Sequence, residues 1–315
     1  IFYPKKFQLF AQETLYYLES NRKQVLQLSG NNYPKHITVV LQDRGLTING
    51  YASILTPKLS LSPPRPANAG NTLFSNNWIE TVAVHELFHN YHIFNISGKR
   101  KRLFHKWFGM PGFHSDLSPT FSEGLAVYQE SQINPFQGRL NNGLYKSILL
   151  TKSAENNLGS LTASTYLHNE FIMGQWYLYG SGFIQYLAQT YTDESLTDFI
   201  NKTSDKGTFS ASIPSYFTLK ETEEIFGKPF DALYQDYANK LKQETKDWRL
   251  PNTPALAEGH YLSRPLYHQN ALYLIKETYL YPAPFEPIYQ ASLQKIDLTT
   301  QKQHTLATFY GKAIQ

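Results

Sequence analysis

Residues 78 to about 93, WIETVAVHELFHNYHI, constrain the fold of this chain more than any other stretch. They run without Gly or Pro. Val84, Leu87, Phe88 and Tyr91 form an apolar stripe that Ile79, Val82 and Ala83 widen. This spacing predicts a helix apolar over most of its circumference, and such a helix has to lie inside a domain. Asn77 is placed to cap it, with Glu80 three residues on to close a reciprocal box. Yet the same helix carries His85, Glu86 and His89 in an H-E-x-x-H pattern. Burying two imidazoles and a carboxylate without partners is strongly unfavourable. The rest of the fold must therefore supply partners, and a metal ion is the simplest one.

In a helix, residues four apart lie on one face, a turn apart. His85 and His89 can thus present two ring nitrogens to one ion. Glu86 sits beside that face, placed to reach a water on the metal and not the metal itself. Zinc lowers the pKa of such a water, and a glutamate at this spacing can remove its proton as it attacks a carbonyl. The chain contains no cysteine, which excludes a thiolate zinc site, a disulfide framework and a thiol nucleophile. Histidine and carboxylate remain as ligands. His92 lies seven residues past His85, and three ligands along one straight helix converge poorly on a tetrahedral ion. It reads as a partly buried helix residue. It also stands where the longer H-E-x-x-H-x-x-G-x-x-H form needs its glycine, so that form is absent. Glu123 is the better candidate for a third ligand. It opens a second helical stretch, SEGLAVYQE, with Gly124 small enough to allow close packing.

Upstream, residues 5–28 repeat apolar side chains at helical spacing: Phe7, Phe10, Leu15, Leu18, Val25 and Leu28. They predict an amphipathic helix or helix pair. The β-branched run HITVVLQD (36–43) predicts a buried strand. Residues 47–64 place an Asn-Gly turn signal before an alternating run, which predicts a hairpin with an exposed edge. The loop at 63–70 and the stretch 94–119, with Gly98, Gly109, Pro111, Gly112 and Pro119, are expected to be irregular. A second helix is expected from near Phe121, a loop with a short helix over 134–160, and a third core helix over 174–191. Two short helices should flank Gly227-Lys228-Pro229 within 221–244. After Trp248 the character changes. PNTPALAEGH is linker-like, and 271–277, 288–298 and 303–309 are strand-like. The expected class is α+β, with one domain over 1–250, mostly helical in its C-terminal half, then an all-β segment over 251–315.

Composition narrows the function. With 41% hydrophobic and 17% charged residues, the 315-residue chain can bury a sizeable core. A net charge of +4 does not call for nucleic acid. The basic run Lys99-Arg100-Lys101-Arg102, with Lys106 behind it, is too short to carry a phosphate or membrane contact alone and reads as a solvated loop. No apolar run approaches the ~20 residues of a transmembrane span. The lack of cysteine fits an exported bacterial protein, periplasmic or extracellular, although cytosolic proteins can lack it too. A start at Ile1 fits removal of a leader or of a longer native N-terminus.

The pairing of HELFH (85–89) with SEGLAVYQE (122–130) resembles the gluzincin metallopeptidases. It is most similar to their aminopeptidase-like branch, whose second helix reads E-G-x-A-x-Y-x-E. The resemblance implies a zincin (thermolysin-like) fold, one zinc ion per chain with His85, His89 and Glu123 as its ligands, and Glu86 as general base. Glu130 matches the last Glu of the pattern, with a role behind the ligands. The family's Trp-Phe or Trp-Leu before the ligand Glu is replaced by Thr120-Phe121-Ser122, a departure that touches packing. In this family a Tyr in a Y-x-x-G motif on a later helix donates to the oxyanion. YLYG places Tyr177 three residues before Gly180, with Tyr179 as the other candidate. A phenol is a neutral donor suited to a developing negative oxygen. The aminopeptidases also carry a G-x-M-E-N segment whose Glu holds the free amine of the substrate. No Glu lies between Ile48 and Trp78 here, so an ordinary aminopeptidase is disfavoured. The stretch can still serve as an edge strand that pairs with an extended peptide.

The layout over roughly 1–250 is similar to that of bacterial peptidase-MA-like proteins, which often continue into a TolB-like β-propeller. Residues 271–309 resemble one blade, with Asp297-Leu298-Thr299-Thr300 at its turn. Propellers take about 4–8 blades, so a longer native chain is expected. These readings converge on a zinc peptidase acting on a peptide or protein substrate. A non-catalytic zincin-like scaffold, binding a protein partner through the β segment, stays open. So does a zinc hydrolase of a non-peptide amide. The intact H-E-x-x-H speaks against the scaffold.

Overall fold

The structure is a computed structural model. It describes residues 1–31, 33–43, 50–62, 77–95, 103, 106–107, 118–161, 175–204, 220–249, 255–259, 261–281 and 288–312. The basic run 99–102, the 63–70 loop, and Gly98, Gly109, Pro111 and Gly112 lie outside those residues. The chain is of mixed α+β class and divides into two compact units. One comprises Ile1–Thr165 and Trp176–Asp247, the other Tyr166–Gln175 and Trp248–Gln315.

In the first unit, a 3-10 turn at Lys5–Phe7 runs directly into α1 (Gln8–Ser29), one long helix where a pair was an option. Its buried line is Phe7, Ala11, Thr14, Leu18, Val25 and Leu28. Leu15, expected on that face, is 48% exposed. It lies about 80° of helix rotation from the middle of that line. Leu15→Ala should therefore change stability by no more than about 0.5 kcal/mol. Leu18→Ala should cost about 2–4 kcal/mol. Denaturant midpoints of the two variants test this placement, and equal losses would contradict it.

Strands β1 (Thr38–Leu41), β2 (Gly50–Ala52) and β3 (Lys58–Leu61) form a sheet in the order β1-β3-β2. β1 and β3 are parallel, in register from Thr38↔Lys58 to Leu41↔Leu61. β2 and β3 are antiparallel, with Tyr51 opposite Ser60. The predicted edge over 50–62 thus narrows to β2, because β3 is internal. The hairpin reverses between Ser53 and Lys58, where Ser53 N–H donates to Lys58 O at 2.9 Å. Ser53 Oγ accepts from the N–H groups of Leu55 and Thr56 (3.3 and 3.4 Å). Asn49 of the turn signal lies outside the described residues, and Gly50 opens β2.

Helix α2 (Trp78–Ile93) is buried at every residue from Thr81 to His92. It packs against α1, β2 and β3, and against α3 (Pro119–Glu130). Asn77 Oδ1 caps it by accepting from Glu80 N–H at 3.2 Å. The reciprocal half of the box is made differently. Gln137 donates to the Glu80 carboxylate (3.0 Å) and its Oε1 accepts from Asn77 N–H (3.4 Å). A side chain from a distant loop has replaced the local reach-back of Glu80. α3 begins two residues before Phe121, with Ser118 Oγ capping Phe121 N–H at 3.2 Å and Pro119 in the first turn.

Helices α4 (Leu144–Ala154), α5 (Gln175–Thr190), α6 (Asp193–Ser204), α7 (Lys220–Phe226) and α8 (Phe230–Glu244) complete the unit. Phe121 of α3 joins them at the core. Its ring lies 5.5–6.0 Å from those of Phe183, Phe199 and Phe230. α6 is an addition to the expected elements. Its signals stand in the sequence: Thr192 as cap, Asp193 and Glu194 in the first turn, and Leu196, Phe199, Ile200 and Thr203 on the buried face.

The second unit is a five-stranded antiparallel sheet, with β4 (Tyr261–Leu262), β5 (Leu266–His268), β6 (Ala271–Tyr281), β7 (Ile288–Asp297) and β8 (Gln303–Lys312). β6, β7 and β8 are neighbours in that order, and both β4 and β5 pair with β6. Between β5 and β6, Gln269 and Asn270 both take positive φ (46° and 57°), the geometry of a two-residue hairpin turn. At the β7–β8 turn, Asp297 Oδ1 accepts from the N–H groups of Thr299 and Thr300 at 2.9 and 2.8 Å. Among the described residues no helix is long and apolar enough to cross a membrane.

Candidate metal centre

α2 supplies His85, Glu86 and His89; α3 supplies Glu123 and Glu130; α5 supplies Tyr177. The helices α3 and α5 meet at two glycines. A Cβ on Gly180 would lie 2.0 Å from Thr120 O and 3.1 Å from Gly124 Cα. Only glycine on both sides permits this crossing. Gly124 follows Glu123 directly, and Gly180 stands three residues after Tyr177, so the contact holds these two side chains near one another.

Glu123 Oε2 lies 3.1 Å from His85 Nε2 and 3.0 Å from His89 Nε2, and the two Nε2 atoms are 3.1 Å apart. Among the described residues, these form the only group of three or more His or carboxylate side chains whose ligand atoms, one from each, all lie within 4.8 Å of one another. Such a triangle fits a small cation. Metal–donor bonds of about 2.0–2.1 Å put the donors of a tetrahedral zinc about 3.3 Å apart. Without a cation, protons must bridge the three atoms. Burial disfavours the charged form of His85, but its hydrogen bonds to Glu123 and Glu130 outweigh that and push its pKa up to about 9. Burial likewise raises Glu123, yet the His89 and His85 imidazoles hold its carboxyl well below the usual range. The donor set and its spacing therefore suit a metal ion, and His85, His89 and Glu123 are the residues that could hold it.

His85 presents Nε2 because its other nitrogen is engaged. Nδ1 donates to Glu130 Oε2 at 2.9 Å. Glu130 is fully buried. Burial raises its pKa, but the Arg139 guanidinium more than offsets this and holds it down at about 2. A carboxylate behind a ligating histidine fixes the tautomer and ring orientation. On His89 the corresponding nitrogen faces Ser122 Oγ at 3.4 Å.

Glu86 is buried outside this triangle, at the edge strand. Ala52 N–H of β2 donates to its carboxylate. A Cβ on Gly50 would lie 2.8 Å from Glu86 Cγ, so β2 lies directly on this side chain. Burial raises the Glu86 carboxyl, against the two imidazoles and with the help of Glu123. Tyr177 also stands at the site, its ring 6.0 Å from that of His85. Burial and the nearby Glu123 push the phenol up and keep it a neutral donor. Tyr179, the other candidate, points elsewhere. It is buried, and its hydroxyl accepts from Gly159 N–H at 3.4 Å. His92 is buried against Phe88, with ring centroids 5.7 Å apart, and does not join the ligand group.

Sequence reasoning missed Arg139. It reaches the site from the loop between α3 and α4, and its guanidinium grips Glu130 through Nε and Nη2, both at 2.8 Å. A lone arginine in a loop, nine residues past Glu130, carries no periodicity or motif that marks it. Compared with known proteins, the chain matches no family model and no curated sequence.

Proposed function

We propose that this chain is a zinc-dependent peptidase of the gluzincin kind, built on a zincin fold, with one zinc ion held by His85, His89 and Glu123. The observation that carries the reading is the meeting of Glu123 Oε2 with both Nε2 atoms at 3.0–3.1 Å, with Glu86 close by under β2. A bound zinc would supply Lewis-acid polarisation and a water acidified to near neutral pKa. Glu86 takes the proton of the attacking water at its carboxylate and delivers it to the leaving amine. The Tyr177 phenol donates to the carbonyl oxygen as negative charge builds on it.

The edge strand supports a peptide as the substrate. β2 is the outer strand of its sheet. Ser53 pairs inward with Lys58, so Ala52, one residue earlier, turns its backbone groups outward, where Ala52 N–H meets Glu86. An extended chain added beside β2 would run past the base.

The test begins with metal content and a broad peptide library. Wild type should bind one zinc per chain and cleave peptides, and stripping the metal should abolish cleavage. Glu123→Gln should weaken zinc binding by more than the roughly 10–100-fold that a partner behind a ligand costs. No zinc uptake would overturn the reading. Full zinc with no cleavage across the library would favour a scaffold.

A further inference from the structure

We propose that Arg139 is a positioning residue that orients the metal ligand His85 and the phenol of Tyr177 through one guanidinium. The proposal rests on the zinc-peptidase reading of the site. Arg139 Nε donates to Glu130 Oε1 and Nη2 to Glu130 Oε2, both at 2.8 Å, and the Arg139 backbone N–H donates to Oε1 at 3.1 Å. This fork fixes the plane of a fully buried carboxylate. Oε2 of that carboxylate then receives Nδ1–H of His85 at 2.9 Å. Nη2 also lies 3.0 Å from His85 Nδ1 because both donors converge on the same oxygen. The opposite face of the arrangement is aromatic. Arg139 Cζ stands 4.4 Å from the centre of the Tyr177 ring, within cation–π range. One planar group thus touches α3 through Glu130 and α5 through Tyr177, and reaches His85 on α2 at a remove of one carboxylate.

The loop that carries Arg139 is itself tied down. Leu140 N–H donates to Ser131 Oγ at 3.2 Å, and Asn141 Nδ2 to the carbonyls of Ser131 and Gln137 at 2.7 and 2.6 Å. Gln137 in turn grips Glu80 near the start of α2. Lysine would keep the charge but lose both the two-pronged fork and the flat face.

The test uses Arg139→Lys in the full chain, with zinc affinity read by competition against a chromophoric chelator. Affinity should fall about 10–100-fold. Tyr177→Phe should leave zinc affinity unchanged. In the double variant the loss of kcat should be smaller than the product of the single losses, since the phenol is already misplaced. Arg139→Lys with wild-type melting and wild-type zinc affinity would overturn the proposal. Fully multiplicative kcat losses would overturn its Tyr177 half. If Arg139→Lys fails to fold, the pair Arg139→Met with Glu130→Gln removes both charges at once and leaves none unpaired. Zinc bound more weakly by that pair than by Glu130→Gln alone supports the role, and equal binding removes it. A wild type that takes up no zinc overturns the reading of the site beneath the proposal, a result separate from all of these.

Discussion

On the zinc-peptidase reading, Glu86→Gln should retain zinc at the wild-type level and lose turnover by about 10²–10⁴-fold, or about 3–5 kcal/mol of transition-state stabilisation. The carboxylate is not among the three side chains whose ligand atoms come together, so that triangle survives the change. Glutamine has nearly the same shape, and its amide oxygen can still accept Ala52 N–H. β2 should therefore keep its place over the helix. Burial already disfavours the charged form of Glu86, so a neutral replacement should not lower stability. What the variant lacks is a group able to take a proton from water and return it to an amine. Metal content, zinc affinity and peptide cleavage measured on the same preparation decide the matter. Full metal with unchanged turnover would remove Glu86 from the role of base.

Gly180→Ala should lower stability by about 3 kcal/mol, at the upper end of overpacking costs, and melting by roughly 6–12 °C. The new methyl would stand 2.0 Å from a backbone oxygen, Thr120 O, with Gly124 Cα behind it at 3.1 Å. Backbone on both sides cannot rotate away as a side chain would, so the helices themselves have to separate. α3 carries Glu123 and α5 carries Tyr177, so separation should also weaken zinc binding and slow any reaction that uses the phenol. Thermal melting with a parallel zinc titration checks both effects. A variant that melts within about 1 °C of wild type would show that the crossing is looser than the structure has it.

Several parts of this arrangement were legible as residues. The period of WIETVAVHELFHNYHI made α2 a buried helix, and its Asn77 cap is present. The i, i+4 spacing of His85 and His89 placed two nitrogens together, and their Nε2 atoms are 3.1 Å apart. Local periodicity and capping suffice here because a helix fixes neighbours three and four apart whatever surrounds it. The same rule would have found α6, whose cap and apolar spacing are plain.

Other parts were out of reach for physical reasons. Leu15 and Thr14 differ by one position, and only the direction from which α2 approaches α1 decides which is buried. Glu80 had its local partner in the predicted capping box, but Gln137, arriving from 57 residues away, took the bond. Tyr177 and Tyr179 are chemically alike, and the rotation of α5 turns one toward His85 and the other toward Gly159.

By itself the sequence determined that a buried helix would carry two imidazoles on one face and a carboxylate beside them, because that follows from helix geometry alone. The tertiary structure decided what completes the triangle. Glu123 comes within 3.0–3.1 Å of both rings only because α3 packs on α2, and Gly124 lets α3 lie against Gly180 of α5. Arg139 belongs wholly to that second level. A loop side chain has no periodic signal, and its partners Glu130 and Tyr177 meet it from two different helices once the chain has closed around it.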